Sequence, residues 1–254
     1  MLRMRQLVRC VLWLPNCCFR WSCDWVQRPC VLDVNAVCPS LRLLEEKFQD
    51  IKAEYVAACQ YVADAPRYHD IDSIQQTISN DKNDRNWRVM FLSAMGRKFK
   101  KNRARFPVAA SIIDTIPNVF QAFISRLDPQ KSIPVHSSPY AGYLRYHLAL
   151  EIPVEDPPYM IVGDTSLFWT EGVGVMFDDT FPHHVVNASS LPRAVLIVDV
   201  ERPMGLFGQS VHRMIVWILK HIYAKRIEKK LGSAVHVRSL TSDLKITERC
   251  RSND

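Results

Sequence analysis

The chain has 254 residues, 48% of them hydrophobic and 23% charged, with a formal net charge of +7. That length suits one domain with flanking helices, or at most two small ones, and the apolar content excludes wholesale disorder. The cationic excess lies in the first thirty residues, in residues 97–105 and in the last fifty; it is compatible with an anionic membrane, an acidic substrate or nucleic acid, and selects none of them.

Residues 1–38 read as a poorly ordered extension rich in cysteine and arginine, with six of the eight cysteines and no acid before Asp24. Its apolar centre at 11–14 is cut by Pro15, a poor secretory signal; the Arg-rich, acid-poor composition suits an organelle-targeting segment better, and a plain loose terminus equally well. The cysteines lack paired C-x-x-C spacing, and none lies between residues 85 and 205, so the core is not held by disulfides. No uninterrupted apolar run approaches the roughly 20 residues that span a bilayer.

Residues 39–84 form a helical lead-in. Ser40 can cap a helix in which Leu41, Leu44, Phe48, Ile51 and Tyr55 recur at helical spacing to about residue 62. A loop at 66–72, a short helix to Ile78 capped by Asp72 or Ser73, and a polar turn at 80–86 follow. From 85 to 205 the pattern is mainly β. WRVMFLSAM at 87–95 is a strand ended by Gly96, 97–105 is a basic surface loop, and 107–116 is a helix with Ala109, Ile112, Ile113 and Ile116 on one side. Short strands are then expected at 119–127, 135–136, 144–152, 159–162, 167–169, 173–177, 183–186 and 193–200, separated by turn residues, which implies a sandwich, barrel or jelly roll. Residues 206–232 return to helix. Val211, Met214, Ile215, Ile218, Leu219 and Ile222 make an apolar stripe flanked by Arg213, Lys220, Lys225, Arg226, Lys229 and Lys230, so this basic amphipathic helix, ending near Gly232, either packs on the β domain or makes peripheral membrane contact through 209–231. Residues 233–254 are polar and expected to be a mobile tail.

The chemistry concentrates between residues 135 and 200. His136 stands nine residues before Arg145, and His183 ten before Arg193, with both arginines entering alternating apolar runs. Imidazoles ligate Fe(II), zinc and copper, and most non-haem iron oxygenases add a carboxylate, usually two residues after the first histidine. Here that residue is Ser138, a poor ligand, so a site of two histidines needs negative charge from elsewhere. A dianion such as 2-oxoglutarate supplies it, and inward-facing arginines can hold its carboxylates. The plainer alternative pairs Arg145 and Arg193 with Asp178, Asp179 or Asp199 as structural salt bridges. His183 and His184 are adjacent, so on a strand only one of them can join His136.

HSSPYAGYLRYHLALEIP, the W-x-E-G turn at Trp169-Thr170-Glu171-Gly172, and FDDTFPHHVVNASSLPRAVLIVDVERP resemble the aspartyl/asparaginyl β-hydroxylase family of 2-oxoglutarate oxygenases, which also includes the bacterial lipid A 2-hydroxylase. The resemblance runs from about Trp87 to Pro203. It implies a double-stranded β-helix, a cupin-like jelly roll, and iron held by two histidines without a carboxylate. By motif position His136 and His183 are then the metal ligands and His184 is not. Arg193 and Ser125 match positions that hold the distal carboxylate of 2-oxoglutarate, Arg145 and His147 match those near its chelating end, and Asp178 and Asp179 match an acidic pair that supports the site. The implied reaction uses Fe(II), 2-oxoglutarate and O2 to hydroxylate an unactivated C–H bond of a protein Asp/Asn or a lipid acyl chain, releasing succinate and carbon dioxide. No nucleic acid partner is expected. The family also includes an animal enzyme that acts on EGF-like domains; the chain is expected to differ from it in lacking a long lumenal repeat region and a spanning anchor. A non-catalytic cupin-like binding module and a hydroxylase acting at a membrane surface are the alternatives.

Overall fold

A computed structural model describes residues 2–23, 29–72, 75–79 and 85–251. Its helices are α1 (Leu2–Ser22), α2 (Val34–Val37), α3 (Arg42–Glu46), α4 (Phe48–Ala63), α5 (Tyr68–Ile71), α6 (Gln76–Ser79), α7 (Lys100–Arg103), α8 (Pro107–Thr115) and α9 (Leu206–Arg251). Its strands are β1 (Val31–Leu32), β2 (Trp87–Ala94), β3 (Arg97–Lys98), β4 (Val119–Leu127), β5 (Ile133–His136), β6 (Tyr143–Glu151), β7 (Tyr159–Val162), β8 (Thr165–Phe168), β9 (Gly174–Phe177), β10 (His183–Val186) and β11 (Arg193–Glu201).

Every pairing between strands is antiparallel, and two sheets result: β1-β9-β6-β11-β4-β2-β3 and β5-β10-β7-β8. They face each other as a jelly roll. One apolar core lies between the sheets, where Phe91, Phe123, Ala149, Val195 and Ile197 of the large sheet meet Met160, Val162 and Val185 of the small one. A second core covers the outer face of the large sheet, where Met90, Ile124, Leu148, Leu196 and Val198 meet Ile51, Tyr55 and Val62 of α4 and Ala109 and Ile113 of α8. Strands β6 and β11 are therefore buried on both faces, which is why they read as nearly continuous apolar runs. The polar residues interrupting those runs on the inner face are costly there unless partnered, and they form the site.

The lead-in helix breaks at Lys47 between α3 and α4, and α5 stands in the stretch expected to be loop. The polar turn expected at 80–86 lies largely outside the described residues. The basic loop at 97–105 is a hairpin strand followed by α7; Met95 (φ 47°) and Gly96 (φ 76°) supply the paired left-handed residues that a tight two-residue hairpin turn needs. Two terminal expectations are corrected. Residues 2–22 form a helix whose Phe19 is fully buried, in place of a loose extension, because that ring has an aromatic pocket to fill. The C-terminal helix continues past Gly232 to Arg251, since an isolated glycine weakens a helix by only about 1 kcal/mol and no proline follows it. Among the described residues no helix is long and apolar enough to cross a membrane.

Candidate active site

Strand register assembles the site. His136 of β5 lies directly opposite His183 of β10, and the two rings stand 4.1 Å apart between centroids. Each ring uses Nδ1 in the same way: His136 bonds to the Pro134 carbonyl and His183 to the Phe181 carbonyl, both at 2.9 Å. Donation through Nδ1 fixes the tautomer in which Nε2 carries the lone pair, the form that ligates a metal. Burial holds the His183 imidazole down to about 4, so it is neutral around pH 7. His184 follows on the strand, partly exposed, and lines neither cavity described below.

The inner face of the large sheet supplies the rest. Period-two alternation puts Ser125 of β4, Arg145 and His147 of β6, and Arg193 and Asp199 of β11 on that face. Arg193 is 1% exposed, and its Nε and Nη2 find no hydrogen-bond partner within the protein. Its guanidinium lies 3.8 Å over the Trp169 ring, a cation–π contact that steadies the plane without supplying a counter-charge. Burial lowers its pKa to about 9, which leaves it charged around neutrality. Diagonally across the strand pair, Ser125 accepts the Trp87 indole N–H at 2.9 Å, so its own hydroxyl proton is available to another acceptor. His147 is buried with both ring nitrogens unpartnered; burial, then the charges of Arg193 and Arg145, push its pKa far down.

The two arginines are not equivalent. Arg145 stands opposite Asp199 in the β6–β11 register and donates to it through Nε and Nη2, both at 2.8 Å, while Nη1 lies 3.3 Å from Asp179. Against its burial, Asp199 and Asp179 hold Arg145 firmly protonated. Gln121 completes the network by donating to Asp199 at 2.6 Å. The structural salt bridge that sequence left open is thus made by Arg145 and not by Arg193. Of the acidic pair, Asp178 binds Arg202 at 2.7 Å and caps the turn through Thr180, a scaffold role. Asp179 accepts from Tyr143, keeps Oδ1 unpartnered, and is raised in pKa by burial against the pull of Arg145.

Two adjoining cavities meet at the histidines, sharing Trp87, His136, Arg145 and His183. The strand-lined cavity carries Ser125, His147 and Arg193 over an apolar floor that includes Phe177 and Ile197. The loop-lined cavity carries Ser138, Pro139, Tyr143 and Asp179, together with Tyr68 and Gln75. Ser138, at the position where a carboxylate ligand commonly stands, spends its hydroxyl on the Tyr140 carbonyl and the Tyr143 hydroxyl. Among the described residues no three His, Cys, Asp or Glu side chains are grouped to hold a metal by themselves. Sequence reasoning missed Trp87, Tyr143 and Gln75. The signal for Trp87 was present, since it alternates with Val89 and Phe91 on the core face of β2; Gln75 reaches the site from a helical turn too short for periodicity to orient. Trp169 was seen only as part of a motif. Its turn is now explained: Trp169 faces Arg193, Glu171 accepts from the Ile152 amide and Lys52, and Gly172 takes φ 79° where a Cβ would lie 2.8 Å from the Phe48 ring.

Comparison with known proteins adds a family. The model of the aspartyl/asparaginyl beta-hydroxylase family matches residues 45–203. The ornithine lipid ester-linked acyl 2-hydroxylase of Rhizobium tropici is 31% identical over 189 residues, 74% of this chain and 65% of that protein. The human aspartyl/asparaginyl beta-hydroxylase is 30% identical over 122 residues, 46% of this chain and 16% of that protein. Among solved structures, a cupin 2 conserved barrel domain protein of Salinispora arenicola aligns with a TM-score of 0.31 and 14% identity, covering 52% of this chain and 87% of that one. With the family match running from within the helical lead-in across β2 to β11, more than half of the chain, the chain belongs to the aspartyl/asparaginyl beta-hydroxylase family.

Proposed function

We propose that this chain is an Fe(II)- and 2-oxoglutarate-dependent dioxygenase that hydroxylates an unactivated C–H bond. The observation that carries the reading is Arg193: a buried guanidinium with two unpartnered nitrogens, at a cavity that also holds the His136–His183 pair. A buried charge without a counter-ion costs several kcal/mol, so the slot calls for an anion. The donor set fits the implied group. Two neutral imidazoles cannot balance a divalent ion, Asp199 already neutralises Arg145, and a dianion reaching from the histidines toward Arg193 supplies the missing charge.

In this reading His136 and His183 hold the metal through Nε2. Arg193 and the Ser125 hydroxyl receive the distal carboxylate of 2-oxoglutarate, with Trp169 and Trp87 fixing their orientation. His147 stands beside the chelating end as a neutral donor, and Arg145, its nitrogens directed to Asp199 and Asp179, is a fixed, charge-balanced wall there. When bound, iron and 2-oxoglutarate supply the oxidising chemistry with O2, yielding succinate and carbon dioxide. The apolar floor keeps water from the slot, and the loop-lined cavity admits the acceptor beside Tyr143 and Asp179. Both acceptor classes named among the relatives, a protein Asp/Asn and a lipid acyl chain, are open to it; the longer span shared with the R. tropici acyl 2-hydroxylase favours the acyl chain.

The test supplies purified protein with Fe(II), 2-oxoglutarate and O2 and follows succinate, with mass spectrometry of ornithine lipids and of Asp/Asn peptides for one added oxygen. Fe(II)-dependent succinate that tracks an oxygenated acceptor supports the proposal. A folded protein that binds but never turns over 2-oxoglutarate across those acceptors would replace the enzyme with a binding module.

A further inference from the structure

We infer that α1 and α9 together form a surface that docks on an anionic lipid bilayer, lying on it without crossing it. The two helices run antiparallel side by side. Ser22 of α1 bonds to Gly205 and Gly208 at the start of α9, and Phe19, one turn back, meets His212, one turn on. Both turn one face toward the β domain, through Phe19 and Asn16 on α1 and His212 on α9. The opposite faces are apolar and open. On α1, Cys10, Trp13, Leu14, Cys17 and Trp21 recur at i, i+3, i+4, i+7 and i+11, a single stripe that is exposed except at half-buried Cys17. On α9, Phe207, Met214, Trp217, Ile218 and Ile222 stand at i, i+7, i+10, i+11 and i+15, likewise on one side. Trp13, Leu14, Trp21, Phe207, Trp217 and Ile222 are 61–89% exposed. An apolar face that turns outward on two adjacent helices is the reverse of what water selects.

Charge decides the occupant. Residues 1–23 and 203–227 contain no aspartate or glutamate, while the same segments carry Arg3, Arg5, Arg9, Arg20, Arg213, Lys220, Lys225 and Arg226. A second copy of the chain would oppose these acid-free, cationic segments to their own like. An anionic bilayer matches them, and tryptophan is the side chain that settles best between headgroups and acyl chains. The surface also adjoins the site. The Asn16 carboxamide donates to the Pro139 carbonyl at 2.8 Å and accepts from the Ala141 amide at 3.1 Å, and the Tyr140 hydroxyl meets His212 at 2.7 Å. Docking would therefore hold the loop that lines the acceptor cavity against the membrane. The inference stands on this surface alone and is independent of whether the site turns over.

The full chain is floated with vesicles of phosphatidylcholine alone or mixed equally with phosphatidylglycerol. Binding to the mixed vesicles is expected, weakened by salt, with tryptophan emission quenched by brominated lipid. The double substitution Trp13→Ser/Trp217→Ser and the double charge reversal Arg213→Glu/Lys225→Glu should each reduce binding at least tenfold while leaving the helical circular dichroism unchanged, since all four positions are exposed. Absence of wild-type binding to the mixed vesicles would overturn the inference, as would equal binding by both variants. A dimer in sedimentation that the tryptophan substitutions dissolve would assign the face to a second copy instead.

Discussion

At the scale of single residues, the site is defined by which buried polar groups lack partners. Arg193 and His147 are each buried on the inner face of the large sheet, and each has idle nitrogens. For Arg193 this makes two opposed predictions from one substitution. Arg193→Met should raise the 2-oxoglutarate concentration for half-maximal binding by roughly 100-fold, the worth of a two-point charged contact. The same change should leave the thermal midpoint of the ligand-free protein equal or higher, because an unpaired buried charge is removed. Titration calorimetry and melting curves check both; a destabilised protein with unchanged affinity would make Arg193 a structural residue. Burial also keeps His147 and His183 neutral, with His183 held to about 4. In the unfolded chain both take up a proton near pH 6.5, so unfolding binds protons below that value. Stability is therefore complete above pH 6.5 and declines as pH falls toward 4, by up to about 2.7 kcal/mol per pH unit if both contribute. Metal-free melting curves should show that slope, and His147→Leu should roughly halve it.

At the scale of elements, cross-strand register converts sequence position into contact. Arg145 meets Asp199 because β6 and β11 pair those positions, and His136 meets His183 because β5 and β10 do. Asp199→Asn leaves Arg145 with only the more distant Asp179 and should cost about 3–5 kcal/mol. Adding Arg145→Met should recover a large part of the loss, which a double-mutant cycle by denaturant unfolding measures; no recovery would mean that Asp199 matters through Gln121 alone. Much of this was legible in the sequence. The expected strands at 119–127, 159–162 and 183–186 coincide with β4, β7 and β10, since alternation and turn residues bound them on both sides. What was not legible was pairing. Alternation says that Arg145 and Arg193 point inward, and both do, but only the register tells which of them finds a carboxylate. The short β1 and β3 also escaped notice, because two residues have no period; their structure comes from the strands they join.

At the scale of the molecule, the large sheet is a rigid plate between two apolar cores, and the site is built on its inner face. Positions carried on strands buried on both sides hold their geometry better than positions on loops. Hydrogen exchange should therefore be slowest in β4, β6 and β11, and faster in the 136–142 loop that borders the acceptor cavity; rapid exchange in β11 would contradict a preformed cosubstrate slot. The flanking helices divide the work. α4 and α8 seal the outer core, while α1 and α9 cover the end where the acceptor loop lies and leave an apolar face outward. Sequence periodicity assigned α9 an apolar stripe but could not say which part of it would meet the β domain: Val211, Ile215 and Leu219 turn inward, and Met214, Ile218 and Ile222 stay open.

The central claim is that two imidazoles and a dianion seated on Arg193 complete one metal centre. The most direct measurement is the absorption spectrum of the protein mixed anaerobically with Fe(II) and 2-oxoglutarate, where chelation of the ion by the keto acid gives a visible charge-transfer band. The wild type and His184→Ala should show the band, and His136→Ala and His183→Ala should not. A band that survives loss of either histidine, or one that disappears equally in His184→Ala, would contradict the account.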